Sequence, residues 1–264
     1  MSQPSDTDSG HVRTSVTRHV GWLEFDRQPM NAFGWAMLSQ VGDALDALDE
    51  DPEVRVIVFA SAVERYFSVG ADLEVFAEFD ETAMAQWCDI AHDIVAKIRG
   101  ARCPVLAAIH GVAVGGGLEM TLHCDVRFAA TDARLGQPEI NTNFIPPVGA
   151  TQALVRLIGR PAALRYLYSG ELLSAHEALE LGLVDELVEP ESLRATVQAN
   201  ADELCEKPPE ALAGIRHAIN HGGGMTFEEG LQIERSVAVS LAGTANFTEG
   251  VGAFIEKRDP RWQR

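Results

Sequence analysis

The sequence predicts an α/β core followed by a helical C-terminal part, and three observations carry that expectation. Short apolar runs alternate with stretches of 3.6-residue periodicity through the first half of the chain. Beyond Gly149 the pattern becomes mostly helical, with one last strand-like run at residues 183–188. After Pro190 only helical segments remain, which separates them from the alternating part and gives the α/β reading its boundary.

Taken in order, residues 1–10 (MSQPSDTDSG) are polar and read as a disordered tail without the apolar centre of a signal peptide. Residues 12–25 hold two short β-like segments, expected to bend at Gly21, and Asp26-Arg27-Gln28-Pro29 is a turn. From Gly34 the apolar positions Leu38, Val41, Leu45 and Leu48 recur at spacings of three and four, an amphipathic helix ending near Asp51-Pro52 because the residue before proline resists helix. Residues 54–60 (VRVIVFA) form a buried strand, residues 61–70 a loop, and residues 82–100 a helix with Met84, Trp87, Ile90, Ile94 and Ile98 on one face. Short strands follow at 126–130 and 134–136. Ser174-Ala175-His176-Glu177 and Thr226-Phe227-Glu228-Glu229 both read as capping boxes. Residues 191–264 hold three or four helices, broken at Pro208-Pro209, at Gly222-Gly223-Gly224 and near Ala245-Asn246. The expected division is therefore tail 1–10, core 11–190 and helical region 191–264.

Composition excludes several classes of function. A chain of 264 residues with 46% hydrophobic content can build one sizeable core. No apolar run approaches the roughly 20 residues that span a bilayer. A formal net charge of −18 argues against nucleic acid and anionic membranes as partners. Cys88, Cys103, Cys124 and Cys205 form no CxxC pair and no metal spacing, which suits reduced thiols in the cytoplasm and predicts no metal.

Chemistry concentrates between Pro104 and Glu139. Residues 104–109 (PVLAAI) read as a buried strand, and Gly115-Gly116-Gly117 leads into the helical run Leu118-Glu119-Met120-Thr121-Leu122. Three glycines between strand and helix permit close backbone approach. They also leave N–H groups at a helix start, the equipment for holding an oxyanion. No Lys-Ser/Thr follows, so this is not a P-loop, and the dinucleotide fingerprint fails at Met120. Glu119 lies one turn into the helix, and Glu139 follows in Gly136-Gln137-Pro138-Glu139-Ile140.

The ordered run IHGVAVGGGLEMTLHCDVRFAATDARLGQPEI, with FSVGADL upstream at residues 67–73, resembles the crotonase (enoyl-CoA hydratase/isomerase) superfamily. The resemblance extends from Gly21-Trp22-Leu23-Glu24-Phe25 and Pro29-Met30-Asn31-Ala32 to Phe254-Ile255-Glu256-Lys257-Arg258, nearly the whole chain. It implies a spiral of β-β-α turns with a C-terminal helical trimerisation region. It also implies a homotrimer or dimer of trimers acting on an acyl-CoA thioester, with no cofactor beyond the coenzyme A of the substrate. Matched motif to motif, the N–H groups of Ala71 and Gly116 would form an oxyanion hole for the thioester carbonyl. Glu119 and Glu139 would be the two catalytic carboxyls of a hydratase. Arg27, Ser68, Ala71, Phe254 and Lys257 would contact the CoA substrate, although Arg27 and Lys257 read equally as solvated surface charges. Asp72 is expected to cap the helix after the first donor, and His110 and His123 to pack or hydrogen bond.

Two carboxyls favour hydration of a trans-2-enoyl-CoA. A Δ3,Δ2-enoyl-CoA isomerase needs typically one, and a non-catalytic acyl-CoA-binding scaffold needs neither. The chain departs from many hydratases at Ile145-Pro146-Pro147-Val148-Gly149-Ala150-Thr151-Gln152 and at Asn141-Thr142-Asn143-Phe144, a loop that the resemblance implies shapes the acyl end of the pocket.

Overall fold

The computed structural model describes residues 11–263, so the tail expected at residues 1–10 lies outside the described residues. Strands β1 (Val12–Thr17) and β2 (Val20–Phe25) form an antiparallel hairpin. It turns at Arg18 and His19, both at positive φ (50° and 67°), as two-residue hairpin loops require. The expected bend at Gly21 is not there. Gly21 lies inside β2, where a Cβ would sit 2.9 Å from Leu48 Cδ2, so its small size serves packing rather than turning.

Strand β3 (Ala32–Phe33) leads to helix α1 (Trp35–Glu50), which buries Met37, Leu38, Val41, Leu45 and Leu48 and stops before Pro52. Three β-β-α turns follow. The first is β4 (Val56–Ser61), β5 (Tyr66–Ser68) with its extension β6 (Gly70–Ala71), then α2 (Leu73–Phe76) and α3 (Glu81–Gly100). The second is β7 (Val105–Ile109), β8 (Val112–Val114) and α4 (Gly116–Thr121). The third is β9 (Val126–Ala130), β10 (Arg134–Gly136), a 3-10 segment Pro138–Thr142, α5 (Ala150–Ile158) and α6 (Arg160–Ser169). Strand β11 (Leu172–Ser174), α7 (Ala175–Leu181) and β12 (Glu186–Val188) close the alternating part.

Each turn gives its first strand to a six-stranded sheet of order β1-β2-β4-β7-β9-β12 and its second to a four-stranded sheet of order β11-β10-β8-β5. This is the spiral that the resemblance implies. The central strands are buried on both faces and accordingly read as continuous apolar runs. Phe25 meets Phe33, Phe59 and Phe67 edge to face, with ring centroids 5.3–6.0 Å apart. Each such ring contributes roughly 1.5–3 kcal/mol by leaving water.

Four helices follow: α8 (Leu193–Cys205), α9 (Pro209–Gly222), α10 (Phe227–Ala242) and α11 (Ala245–Glu256). Helix α8 returns to the six-stranded sheet and buries Val197 and Ala201 there. Helices α9 and α10 pack on each other, and no residue of α10 is buried. One buried guanidinium ties this pair to the body. Arg216 of α9 donates to Ile98 O, Ala101 O and Asp125 Oδ2. Among the described residues no helix is long and apolar enough to cross a membrane.

Candidate active site

The first site segment is a short chain stretch held by its neighbours. Asn31, fully buried at positive φ (53°), donates to Ser61 Oγ (2.8 Å) and Phe67 O (3.0 Å) and accepts from Arg27 N (2.7 Å). Ser68 is buried as well, and its hydroxyl donates to Asn31 O (2.7 Å) and accepts from Gly70 N (3.0 Å). Asp72 N donates to Phe33 O (2.9 Å), so strand alternation turns the N–H of Ala71 away from β3. Asp72 caps α2 by accepting from Glu74 N and also pairs with Arg27 Nη1 at 2.8 Å. The same Arg27 nitrogen donates to Ala32 O. The structure thus engages Arg27 and Ser68 in framing this segment.

The second segment, Gly115-Gly116-Gly117, meets the first at van der Waals limits. Gly70 has φ +79°, and a Cβ on it would sit 3.0 Å from Gly116 N and 3.2 Å from Gly115 Cα. A Cβ on Gly117 would lie 2.4 Å from Ser68 Cβ. Gly115 adopts φ 53°, ψ −137°, a conformation that side chains resist. Glycine at these positions lets the N–H of Gly116, at the start of α4, approach the strand that carries Ala71.

Glu119 and Glu139 flank that turn. Glu119 is wholly buried; its Oε1 accepts from Val148 N (2.8 Å) and Ala150 N (3.0 Å), while Oε2 has no protein partner. Glu139 comes from the 3-10 segment, with Oε1 only 2.9 Å from where a Gly115 Cβ would be. Burial pushes the Glu119 carboxyl up to about 8, with the charge of Glu139 adding to the rise and the two backbone N–H bonds opposing it. Burial likewise raises Glu139 to about 7. Near neutral pH the pair therefore retains a proton.

Three contributors escaped sequence reasoning. Gln137 is buried beside Glu139; with its amide nitrogen facing the carboxylate it donates to both oxygens at 3.2 Å, and turned over it accepts from the acid. A glutamine placed to serve both protonation states is visible in the sequence only as a polar residue at the end of an apolar strand. Asn31 is the second, since its bonds reach 30 and 36 residues along the chain. The third is Tyr166 of α6, whose buried hydroxyl has no protein partner and whose pKa burial and the charge of Glu139 raise.

Aromatic rings cluster where α1, α2 and α3 meet. Phe76, Phe79, Trp35 and Trp87 pack together at centroid distances of 4.8–5.7 Å, and Phe144 closes on Phe76 at 6.3 Å. The expected stripe on α3 thus splits, with Trp87, Ile94 and Ile98 buried and Met84 and Ile90 half-buried. His110 and His123 bond the carbonyls of Val63 and Val148, both at 3.0 Å. Phe254 is 86% exposed and Lys257 ends α11 at φ 55°; both lie on the terminal helix, apart from the elements that build the glycine turn. Two open recesses, of about 410 and 580 Å³, are lined by charged residues such as Arg55 and Arg194, and neither is lined by a carboxyl of the pair. Among the described residues no group of three His, Cys, Asp or Glu is placed to hold a metal.

Comparison with known proteins agrees with this architecture. The sequence model of the family described as enoyl-CoA hydratase/isomerase matches residues 16–264. A "probable enoyl-CoA hydratase, mitochondrial" of Dictyostelium discoideum is 34% identical over 259 residues, covering 94% of this chain and 90% of that protein. A "crotonyl-CoA hydratase" of Syntrophomonas wolfei is 32% identical, covering 87% and 88%. The crystal structure of an enoyl-CoA hydratase from Bacillus anthracis superposes with a TM-score of 0.91 at 33% identity, covering 96% of this chain and 98% of that one. With the family model matching almost end to end and the β-β-α spiral present, this chain belongs to the enoyl-CoA hydratase/isomerase family of the crotonase superfamily.

Proposed function

We propose that this chain is an enoyl-CoA hydratase that adds water reversibly to a trans-2-enoyl-CoA thioester, without a metal or redox cofactor. The observation that carries the reading is a pair of carboxyls, Glu119 wholly buried and Glu139 half-buried, both raised, on either side of one glycine turn. Hydration needs one group to take a proton from water as its oxygen bonds the β-carbon, and another to deliver a proton to the α-carbon. A pair that shares a proton at neutral pH has both forms at hand. In our reading Glu119 orients the water and takes its proton, and Glu139 supplies the proton at the α-carbon. The N–H groups of Ala71 and Gly116 hold the thioester oxygen as negative charge grows on it. A preorganised donor of this kind contributes roughly 3–4 kcal/mol to the transition state. The close approach of the Gly70 and Gly116 backbones supports this placement.

The phosphates of CoA need local cations on so acidic a chain. Lys257 is available on α11, whereas Arg27 would contact them from its bond to Asp72. We place the enzyme in the cytoplasm, where the Cys88, Cys103 and Cys124 thiols stay reduced.

The test is a panel of trans-2-enoyl thioesters of graded length and branching, followed by loss of the conjugated-enoyl absorbance. Turnover of at least one supports hydration. Preference for 3-enoyl substrates with no hydration points to an isomerase, and acyl-CoA binding without any turnover points to a scaffold.

A further inference from the structure

Residues 147–150, which hold Glu119, are themselves held by two histidines. His92 Nε2 of α3 lies 2.8 Å from Pro147 O, and His123 Nε2 lies 3.0 Å from Val148 O. A neutral imidazole that bonds a carbonyl carries its proton on the bonding nitrogen, so both rings donate through Nε2–H. The next backbone groups point the other way: the N–H groups of Val148 and Ala150 both donate to Glu119 Oε1. Gly149, between them at φ +95°, would place a Cβ 2.7 Å from His123 Nε2, so the imidazole stands flush against the bare backbone. His123 follows Glu119 by four residues, in the turn just past the end of α4, and both side chains bond the same loop. The ring is buried, and its Nδ1 has no partner, so the bond to Val148 O is the polar contact the structure gives it.

We propose that His123 and, in support of it, His92 are positioning residues for Glu119. By holding the carbonyls of Val148 and Pro147 they fix the two N–H groups that fix Oε1, and so aim the unpartnered Oε2 at the site of proton transfer. The inference rests on the reading that Glu119 is catalytic. His123 keeps one form across the working range: burial lowers it to about 4 against the opposing bond to Val148 O, and Arg99 and His92 of α3 and Arg127 of β9 act in the same direction as burial. Glu119 for its part faces Glu139 from the 3-10 segment and Cys88 from α3. A displacement of about 1 Å at a reacting group costs roughly 100-fold in rate. A carboxylate released from its two N–H donors also ionises at higher pH.

The experiment compares Glu119→Gln, His123→Ala, His123→Gln and His92→Ala, measuring kcat, KM and the pH dependence of kcat/KM. His123→Ala is expected to lower kcat roughly 10- to 100-fold. KM should change little, because the thioester is held elsewhere. The acidic limb of the profile should move to higher pH. His123→Gln, which retains an N–H donor, is expected to recover part of both effects, and His92→Ala to shift the limb the same way by less. A parental kcat and profile in His123→Ala overturns the inference. So does a fall in kcat with an unmoved limb and no recovery in His123→Gln. If His123→Ala does not fold, an unmoved limb in the surface variant His92→Ala overturns it instead. Parental turnover in Glu119→Gln sinks the two-carboxyl reading and this inference together. An inactive Glu119→Gln beside unaffected histidine variants sinks the inference alone.

Discussion

Glu119 is pulled in two directions, by burial that favours its acid form and by two backbone donors that favour its anion. That tension predicts kinetics. Glu119→Gln and Glu139→Gln should each lower turnover roughly 100- to 10,000-fold, the range of a lost acid–base group. The double variant should cost far less than the product of the singles, because in the proposed mechanism both groups act on one water. Binding of a saturated acyl-CoA should change little in either. Parental hydration rates in both singles would falsify the catalytic pairing. The same tension predicts stability. A carboxyl that titrates near 8 when folded, against an ordinary value of 4.5, binds its proton more tightly in the native state. Its contribution is intact below the unfolded value and is lost as pH rises toward 8. Glu119→Gln, always neutral, should therefore gain on the parent, by roughly 3–4 kcal/mol between about pH 5 and about pH 8. Denaturant melts at the two pH values check this, and an equal difference at both would refute it.

Among the elements, the glycine turn is the part that tolerates least. Gly117→Ala must displace Ser68, and Gly70→Ala combines a positive φ with contacts of 3.0–3.2 Å to backbone. Each should destabilise by roughly 1–3 kcal/mol. Both should abolish turnover, whereas Gly182→Ala, which has open space around it, should affect stability alone. Activity retained in a folded Gly70→Ala would break the argument. Elements of this kind divide by how legible they were. Helix α1, strand β7 and the capping boxes at Ser174 and Thr226 were plain, because periodicity and caps are local signals. Strands β3, β5, β6 and β8 were not, since each has two or three residues and exists only through a partner from another turn of the spiral. The glutamates were legible as a motif, but the framing roles of Arg27 and Ser68 were not. Their partners, Asp72 and Asn31, lie tens of residues away. The turn at Arg18 and His19 was missed because neither residue type advertises a positive φ.

At the scale of the whole molecule, the last helices look unfinished. Ile215, Ile219, Phe227, Val239, Phe254 and Ile255 are 58–86% exposed, more apolar surface than an isolated soluble helix pair usually shows. A second copy of the chain is the simplest cover, and closed symmetry is the common outcome. We expect a trimer or dimer of trimers; light scattering that returns a monomer mass at micromolar concentration would sink that expectation. The attachment of these helices adds a mechanical consequence. Arg216 clamps α9 to the carbonyls of Ile98 and Ala101, and Asn220 exchanges hydrogen bonds with Arg99. All of these contacts fall at one end of α3, a rod of about 30 Å whose other half carries Trp87 and Cys88. In the expected assembly, a load from a neighbouring copy would enter the molecule at that end and be carried along a stiff lever toward Trp87. Arg216→Ala should uncouple the two: assembly-dependent protection of α3 from hydrogen exchange should fall near Trp87, although that ring lies about three turns from the severed joint.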